Sequence, residues 1–109
     1  MLEVTVDREK WYRGHGGYES RLLREDGLMC CMGFACLAAG VSLNDIRNVS
    51  SVERVNLNSA INLTFRTENY TTLYYANDVR SYEGQGEQER ETRIKELGER
   101  VSIEFTFTN

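Results

Sequence analysis

Leu-Met-Cys-Cys-Met-Gly-Phe-Ala-Cys-Leu-Ala-Ala-Gly, residues 28–40, is the stretch that decides the fold of this chain. A helix with this sequence carries apolar side chains on every face, which is typical of a helix buried on all sides. It is shorter than the roughly 20 apolar residues that span a membrane, so we expect a core helix and no membrane contact. Asp26 is the expected N-cap. Gly40 is the expected left-handed C-cap residue, followed by the hydrophobic contact of Val41.

The two ends of the chain have the pattern of half-buried strands. Residues 1–7 and 101–108 each alternate apolar and polar side chains. Residues 61–65 alternate as well, and residues 71–76 are rich in threonine and tyrosine, so we expect a central hairpin there.

Two further helices are expected outside the core helix. Residues 43–48 follow a capping-box sequence, and residues 87–100 carry oppositely charged residues at helical spacing. Together the elements predict an α+β fold in a single domain, residues 1–109. A mostly antiparallel sheet would carry the buried helix and the amphipathic charged helix.

Charge and cysteine content limit the classes of function. The chain has a net charge of −4 and a pI near 5.0, which disfavours direct nucleic-acid binding because such binding needs a basic surface. Three cysteines lie within one apolar segment, an odd number in a setting that favours reduced thiols and a cytosolic protein.

Cys30, Cys31, Cys36 and His15 carry the donor atoms for a zinc site or a thiol nucleophile. Adjacent cysteines do not fit the usual ligand spacing of structural zinc sites. Cys30 near a helix N-terminus is the candidate nucleophile, but no third group is apparent that would orient His15. We therefore expect no metal, no cofactor and no catalytic residues, which makes the chain a non-enzyme.

The basic, glycine-rich segment 11–24 is the first candidate binding surface. Arginine side chains and glycine N–H groups can hold a phosphate, and aromatic rings can stack on a base. The segment lacks the pattern of known phosphate-binding loops, so a solvated connector with local salt bridges stays as the alternative. The candidate residues are Trp11, Tyr12, Arg13, His15, Tyr18, Arg21 and Arg24.

The tyrosines of the expected hairpin form the second candidate surface. Tyr74 and Tyr75 would suit a protein interface, and cross-strand packing is an equal alternative. The acidic residues of segment 87–100 interleave with basic ones, which indicates a salt-bridged helix face rather than a mimic of DNA.

Several motifs resemble a group of small phage and prophage proteins. Trp-Tyr-Arg-Gly at 11–14 and Gly-Leu-Met-Cys-Cys-Met-Gly-Phe at 27–34 are similar to that group's Trp-x-Arg-Gly and Gly-x-Met-Cys-Cys-Leu-Gly-Phe. Ala-Gly-Val at 39–41 and Asn-Asp at 77–78 fit the pattern too, as do the closing helix and strand. Residues 48–72 have no counterpart in it.

The resemblance implies an accessory protein that works in the cytoplasm of a bacterial host. By analogy with small phage proteins, we expect an anti-CRISPR-like inhibitor that contacts a host defence protein. The alternative is a sponge that binds an anionic nucleotide through residues 11–24. A homodimer is also left open, because the strand edges of a small sheet permit one.

Overall fold

The computed structural model describes residues 1–13, 21–55, 69–78 and 86–109. Within these ranges the chain is α+β, as expected. Its elements in chain order are β1 (Leu2–Asp7), α1 (Cys31–Ala38), α2 (Leu43–Ile46), a 3₁₀ turn (Val52–Arg54), α3 (Thr71–Asp78), α4 (Gly86–Glu99) and β2 (Ile103–Thr108).

The sheet joins the two ends of the chain, and its strands are parallel. β1 pairs with β2 in a register that sets Leu2 opposite Ile103 and Asp7 opposite Thr108, so the prediction of a mostly antiparallel sheet is wrong. The alternation of buried and exposed residues was predicted correctly for both strands. Alternation has the same period of two in either orientation and therefore cannot distinguish them. A parallel pair needs a long crossover, which the rest of the chain supplies.

The expected central hairpin is not what residues 71–76 form. They belong to α3, while residues 61–65 lie outside the described residues. The buried residues Leu73, Ala76 and Asn77 are spaced by three and four positions, so a helix puts them all on one face. This burial outweighs the strand preference of the threonines and tyrosines between them.

The core helix starts three residues later than expected. Met29 remains extended and forms a parallel bridge with Trp11, in which the Tyr12 N–H donates to Met29 O at 2.8 Å. The Met29 N–H also donates to Lys10 O, at 2.9 Å, so both main-chain groups of this residue pair with segment 10–12 and hold it outside α1.

The N-cap of α1 is Cys30 rather than Asp26. The Asp26 carboxylate instead accepts a hydrogen bond from the Leu28 N–H at 3.0 Å and closes the preceding turn. The C-terminal prediction is confirmed. Gly40 has a φ of +96°, and the Val41 N–H donates to Cys36 O at 3.0 Å, which is the six-to-one bond of a Schellman motif.

The helices cover the apolar side of the sheet. α1 packs on β1, α4 packs on β2, and α3 joins the two helices. Ile94 and Leu97 of α4 are buried, as its apolar stripe predicts. Of the helices in the described ranges, none is both long and apolar enough to cross a membrane.

The glycine of the Cys-Cys-x-Gly-Phe motif, Gly33, lies where α1 is closest to the main chain of Leu22. A Cβ atom at Gly33 would collide with the backbone oxygen of Leu22 and stand 2.9 Å from its carbonyl carbon. Main-chain atoms cannot turn away as a flexible side chain can. Only a glycine therefore lets α1 approach segment 21–24 this closely.

We expect Gly33→Ala to lower the free energy of unfolding by about 1 to 3 kcal/mol, the usual range for overpacking. At an open helix position the same change would raise it by about 1 kcal/mol, because alanine is the better helix former. Urea denaturation of the two proteins checks the sign. A stabilised Gly33→Ala variant would show that the close approach is not required.

Candidate functional site

Trp11 and Tyr12, the two aromatic residues of the first candidate surface that the structure describes, lie in the core. They are 4% and 9% exposed. The Trp11 ring packs against Phe107 of β2, with centroids 4.9 Å apart and planes inclined at 45°. In this arrangement neither ring is open for stacking on a nucleotide base.

A buried asparagine holds both aromatic residues in place. The Oδ1 atom of Asn77 accepts hydrogen bonds from Trp11 Nε1 at 2.7 Å and from the Cys31 N–H at 3.0 Å. Its Nδ2 atom donates to Tyr12 O at 3.0 Å and to Asp78 Oδ1 at 2.9 Å. One carboxamide thus uses both its donors and both acceptor positions, and it caps the first turn of α1 from another helix.

Arg90 extends this buried polar cluster. It is 1% exposed, and its Nη1 atom donates to the backbone oxygens of Asn77 at 2.7 Å and Ala76 at 3.3 Å. Its Nε atom donates to Glu87 at 2.8 Å. A cation on the last carbonyls of α3 is favourable, because those groups lack partners within the helix. From the sequence, Arg90 was one of the basic residues on a salt-bridged helix face, and its burial was not predicted; its only signal is its spacing of three from Glu87.

Arg13 and Arg24 lie over the two buried aromatic rings. The Arg13 guanidinium carbon is 4.6 Å from the centre of the Trp11 ring, and that of Arg24 is 4.0 Å from the centre of the Tyr12 ring. Arg24 also contacts the Asp26 carboxylate at 3.2 Å. Both arginines are half-buried, so they cover the core and still present part of the guanidinium at the surface.

An open depression of about 700 Å³ lies beside Arg24. Its lining combines both signs of charge. Among the described residues, the lining consists of Arg21, Arg24, Glu25, Asp26 and Asn48. The structure thus brings Arg21 and Arg24 together, as the sequence analysis expected, and adds two carboxylates and an amide that it did not select.

The backbone around this depression is fixed by hydrogen bonds. The Leu22 N–H donates to Val49 O at 2.8 Å, and the Asn48 N–H donates to Leu23 O at 2.7 Å. The turn closes through Gly27, which has a φ of +88°. The backbone that carries these lining residues is therefore held before any ligand arrives, which lowers the ordering cost of binding.

The remaining candidate residues are scattered. Tyr74 is half-buried in α3, and its hydroxyl accepts the Val52 N–H at 2.9 Å; burial raises the pKa of this phenol. Tyr75 points outward and is 71% exposed. His15 and Tyr18 lie outside the described residues.

The three cysteines are buried thiols in the structure. Burial raises the pKa of the Cys30 and Cys36 thiols to about 12, and that of Cys31 well above its ordinary value. Since the thiolate is the nucleophilic form, desolvation outweighs the helix-terminus effect that made Cys30 a candidate. Within the described ranges, His, Cys, Asp and Glu side chains form no group of three that could hold a metal ion.

Comparison with protein-family models, with curated proteins and with solved structures gives no match to this chain. The resemblance to small phage and prophage proteins therefore stays a prediction from the sequence motifs.

An ion pair joins the end of β1 to the charged helix. Arg8 donates from Nε and Nη2 to the two oxygens of Glu91, both at 2.8 Å. These hydrogen bonds hold the pKa of Glu91 below its ordinary value, and the positive charges of Arg8, Arg13 and Lys95 act in the same direction. Glu91 therefore stabilises the fold in its charged form, above the pKa of an unfolded glutamate.

We expect Glu91→Gln to be less stable than the wild type at pH 7, and this difference to shrink as the pH falls from about 5 through the lowered folded pKa. Protonation of Glu91 removes in the wild type the charge that the variant already lacks. Urea denaturation at a series of pH values measures the difference. Glu96→Gln is the control, because Glu96 is 57% exposed and reaches Arg93 only at 3.6 Å.

A wild-type advantage that stays constant from pH 7 to pH 3 would contradict the assignment of this charge-dependent stability to Glu91.

Proposed function

We propose that this chain is a small non-enzymatic binding protein that occupies the surface of a host protein. The depression lined by Arg21, Arg24, Glu25 and Asp26 is the observation that carries the proposal. Arginine is enriched at protein contact surfaces, and the Arg24 guanidinium is held there on the Tyr12 ring. The fixed backbone around the depression favours recognition of one partner with complementary charges.

The host defence protein and the bacterial cytoplasm belong to the same proposal. They follow from the resemblance to phage and prophage proteins, and the free buried cysteines suit a reducing compartment. The raised thiol pKa values support a binding role over thiol catalysis.

A nucleotide sponge is the weaker candidate. Arg21 and Arg24 together could hold a phosphate. Glu25 and Asp26 in the same lining would repel it, and two of the rings expected to stack on the base, those of Trp11 and Tyr12, are buried. These contacts favour a protein partner over an anionic small molecule.

We expect the immobilised chain to retain one protein from bacterial host lysate in equimolar amount, and Arg21→Glu to reduce that amount about tenfold through charge reversal. Arg100→Glu is the matched control, because Arg100 is exposed and lies outside the depression. It should retain the partner as the wild type does. Circular dichroism establishes that all three proteins are folded.

Equal retention by Arg21→Glu and Arg100→Glu, or no equimolar partner at all, would contradict the proposal. A thermal-shift series with cyclic and linear nucleotides tests the alternative. A nucleotide at 100 times its dissociation constant would stabilise the chain by about 2.7 kcal/mol. Such a shift, lost in Arg21→Glu, would replace the host-protein proposal with the nucleotide sponge.

A further inference from the structure

The outer edge of β1 presents backbone groups that β2 does not use. The Leu2 N–H donates to Ser102 O, and the Arg8 N–H donates to Thr108 O, both at 2.8 Å. Alternate residues of a strand direct their N–H and C=O groups to opposite sides. The even-numbered residues of β1 direct their main-chain N–H and C=O groups toward β2. Glu3 and Thr5 therefore direct their main-chain groups toward the outer edge.

These outward groups have no partner in the part of the chain that the structure describes. Within residues 1–13, 21–55, 69–78 and 86–109, no group bonds to the backbone N–H or C=O of Glu3 or Thr5, and both residues are exposed. The next outward carbonyl, that of Asp7, accepts the Lys10 N–H at 2.9 Å and ends the open edge. The N–H and C=O groups of Glu3 and Thr5, four in all, thus have no partner among the described residues and can pair with another strand.

The corresponding edge of β2 differs. Its outward residues Ile103, Phe105 and Phe107 are buried, and α4 lies close to the main chain there. A Cβ atom built on Gly98 would stand 2.9 Å from Ile103 O. A strand can therefore be added beside β1 but not beside this part of β2.

The open edge is acidic. The register places Glu3 directly opposite Glu104, and both side chains are on the exposed face of the sheet. Like charges in directly opposed positions are unfavourable, and a cationic side chain on a third strand would relieve them. The net charge of −4 adds to the attraction of a basic segment.

We propose that the outer edge of β1 receives an extended segment of a partner protein that carries lysine or arginine at alternate positions. A second copy of this chain fits the edge less well. If two β1 strands paired antiparallel about Thr5, Glu3 of each copy would face Asp7 of the other. This edge is a different surface from the depression, so the inference does not rest on the proposed function.

A synthetic peptide of alternating lysine and valine tests the proposal on the full chain. When about 90% of the chain is bound, hydrogen exchange at the Glu3 and Thr5 amides should slow about tenfold, because only the free fraction exchanges. The Val4 and Val6 amides, which already face β2, should not change. A peptide of alternating glutamate and valine should give no protection.

Two variants separate charge from main-chain pairing. Glu3→Lys should weaken binding of the lysine peptide about tenfold by like-charge contact. Thr5→Pro removes an outward N–H, which an edge strand tolerates, and should abolish binding. If Thr5→Pro does not fold, Glu3→Lys and the exchange pattern still decide.

Unchanged exchange at Glu3 and Thr5 with saturating lysine peptide would overturn the proposal, as would equal binding of both peptides. Protection that grows with protein concentration in the absence of peptide, together with a dimer in sedimentation, would overturn it in favour of self-pairing.

Discussion

The carboxamide of Asn77 is the contact on which the rest of the described structure depends. It joins three parts of the chain that are far apart in sequence: the segment after β1 through Trp11 and Tyr12, the first turn of α1 through Cys31, and α3 itself. Arg90 of α4 then binds the backbone oxygen of Asn77. A buried amide with every group paired is worth more than its separate bonds, because each unpaired partner would carry its full desolvation penalty. The polar cluster therefore fixes how the helices assemble over the sheet.

This arrangement decides which residues are left for binding. Trp11 and Tyr12 are drawn into the core, where arginines cover their rings. Near these rings, the depression with both signs of charge remains at the surface. On the sheet, the outer edge of β1 remains open among the described residues. Both features suit contacts with a protein, through side-chain charges in one case and main-chain hydrogen bonds in the other. The buried thiols are kept protonated by the same core.

Residues with a strong local signal were predicted well from the sequence. The two terminal strands, the charged helix and the Schellman ending at Gly40 follow from alternation, helical charge spacing and a C-cap glycine. The predictions that were wrong concern features that depend on contacts between segments distant in the sequence. Strand orientation cannot be read from alternation, and Met29 stays extended because Trp11 lies beside it. Of the proposed binding surface, Arg21 and Arg24 were among the residues named from the sequence, whereas the lining by Asn48 and the burial of Trp11 follow from tertiary packing. Asn77 is part of the Asn-Asp motif at 77–78 that is similar to the phage and prophage group. A single asparagine in a sequence does not, however, indicate that its side chain makes four hydrogen bonds.

The free energy of unfolding of Asn77→Ala, compared with that of Asn44→Ala, tests the central place of Asn77 most directly. Asn44 is exposed in α2, so its replacement should change stability by at most about 0.5 kcal/mol. Replacement of Asn77 leaves Trp11 Nε1 and the Cys31 N–H buried without an acceptor, each at about 1 to 3 kcal/mol. We predict a loss of at least about 2 kcal/mol, a large part of the 5 to 15 kcal/mol typical of a domain. A loss below about 1 kcal/mol would contradict the claim that this side chain holds the fold together.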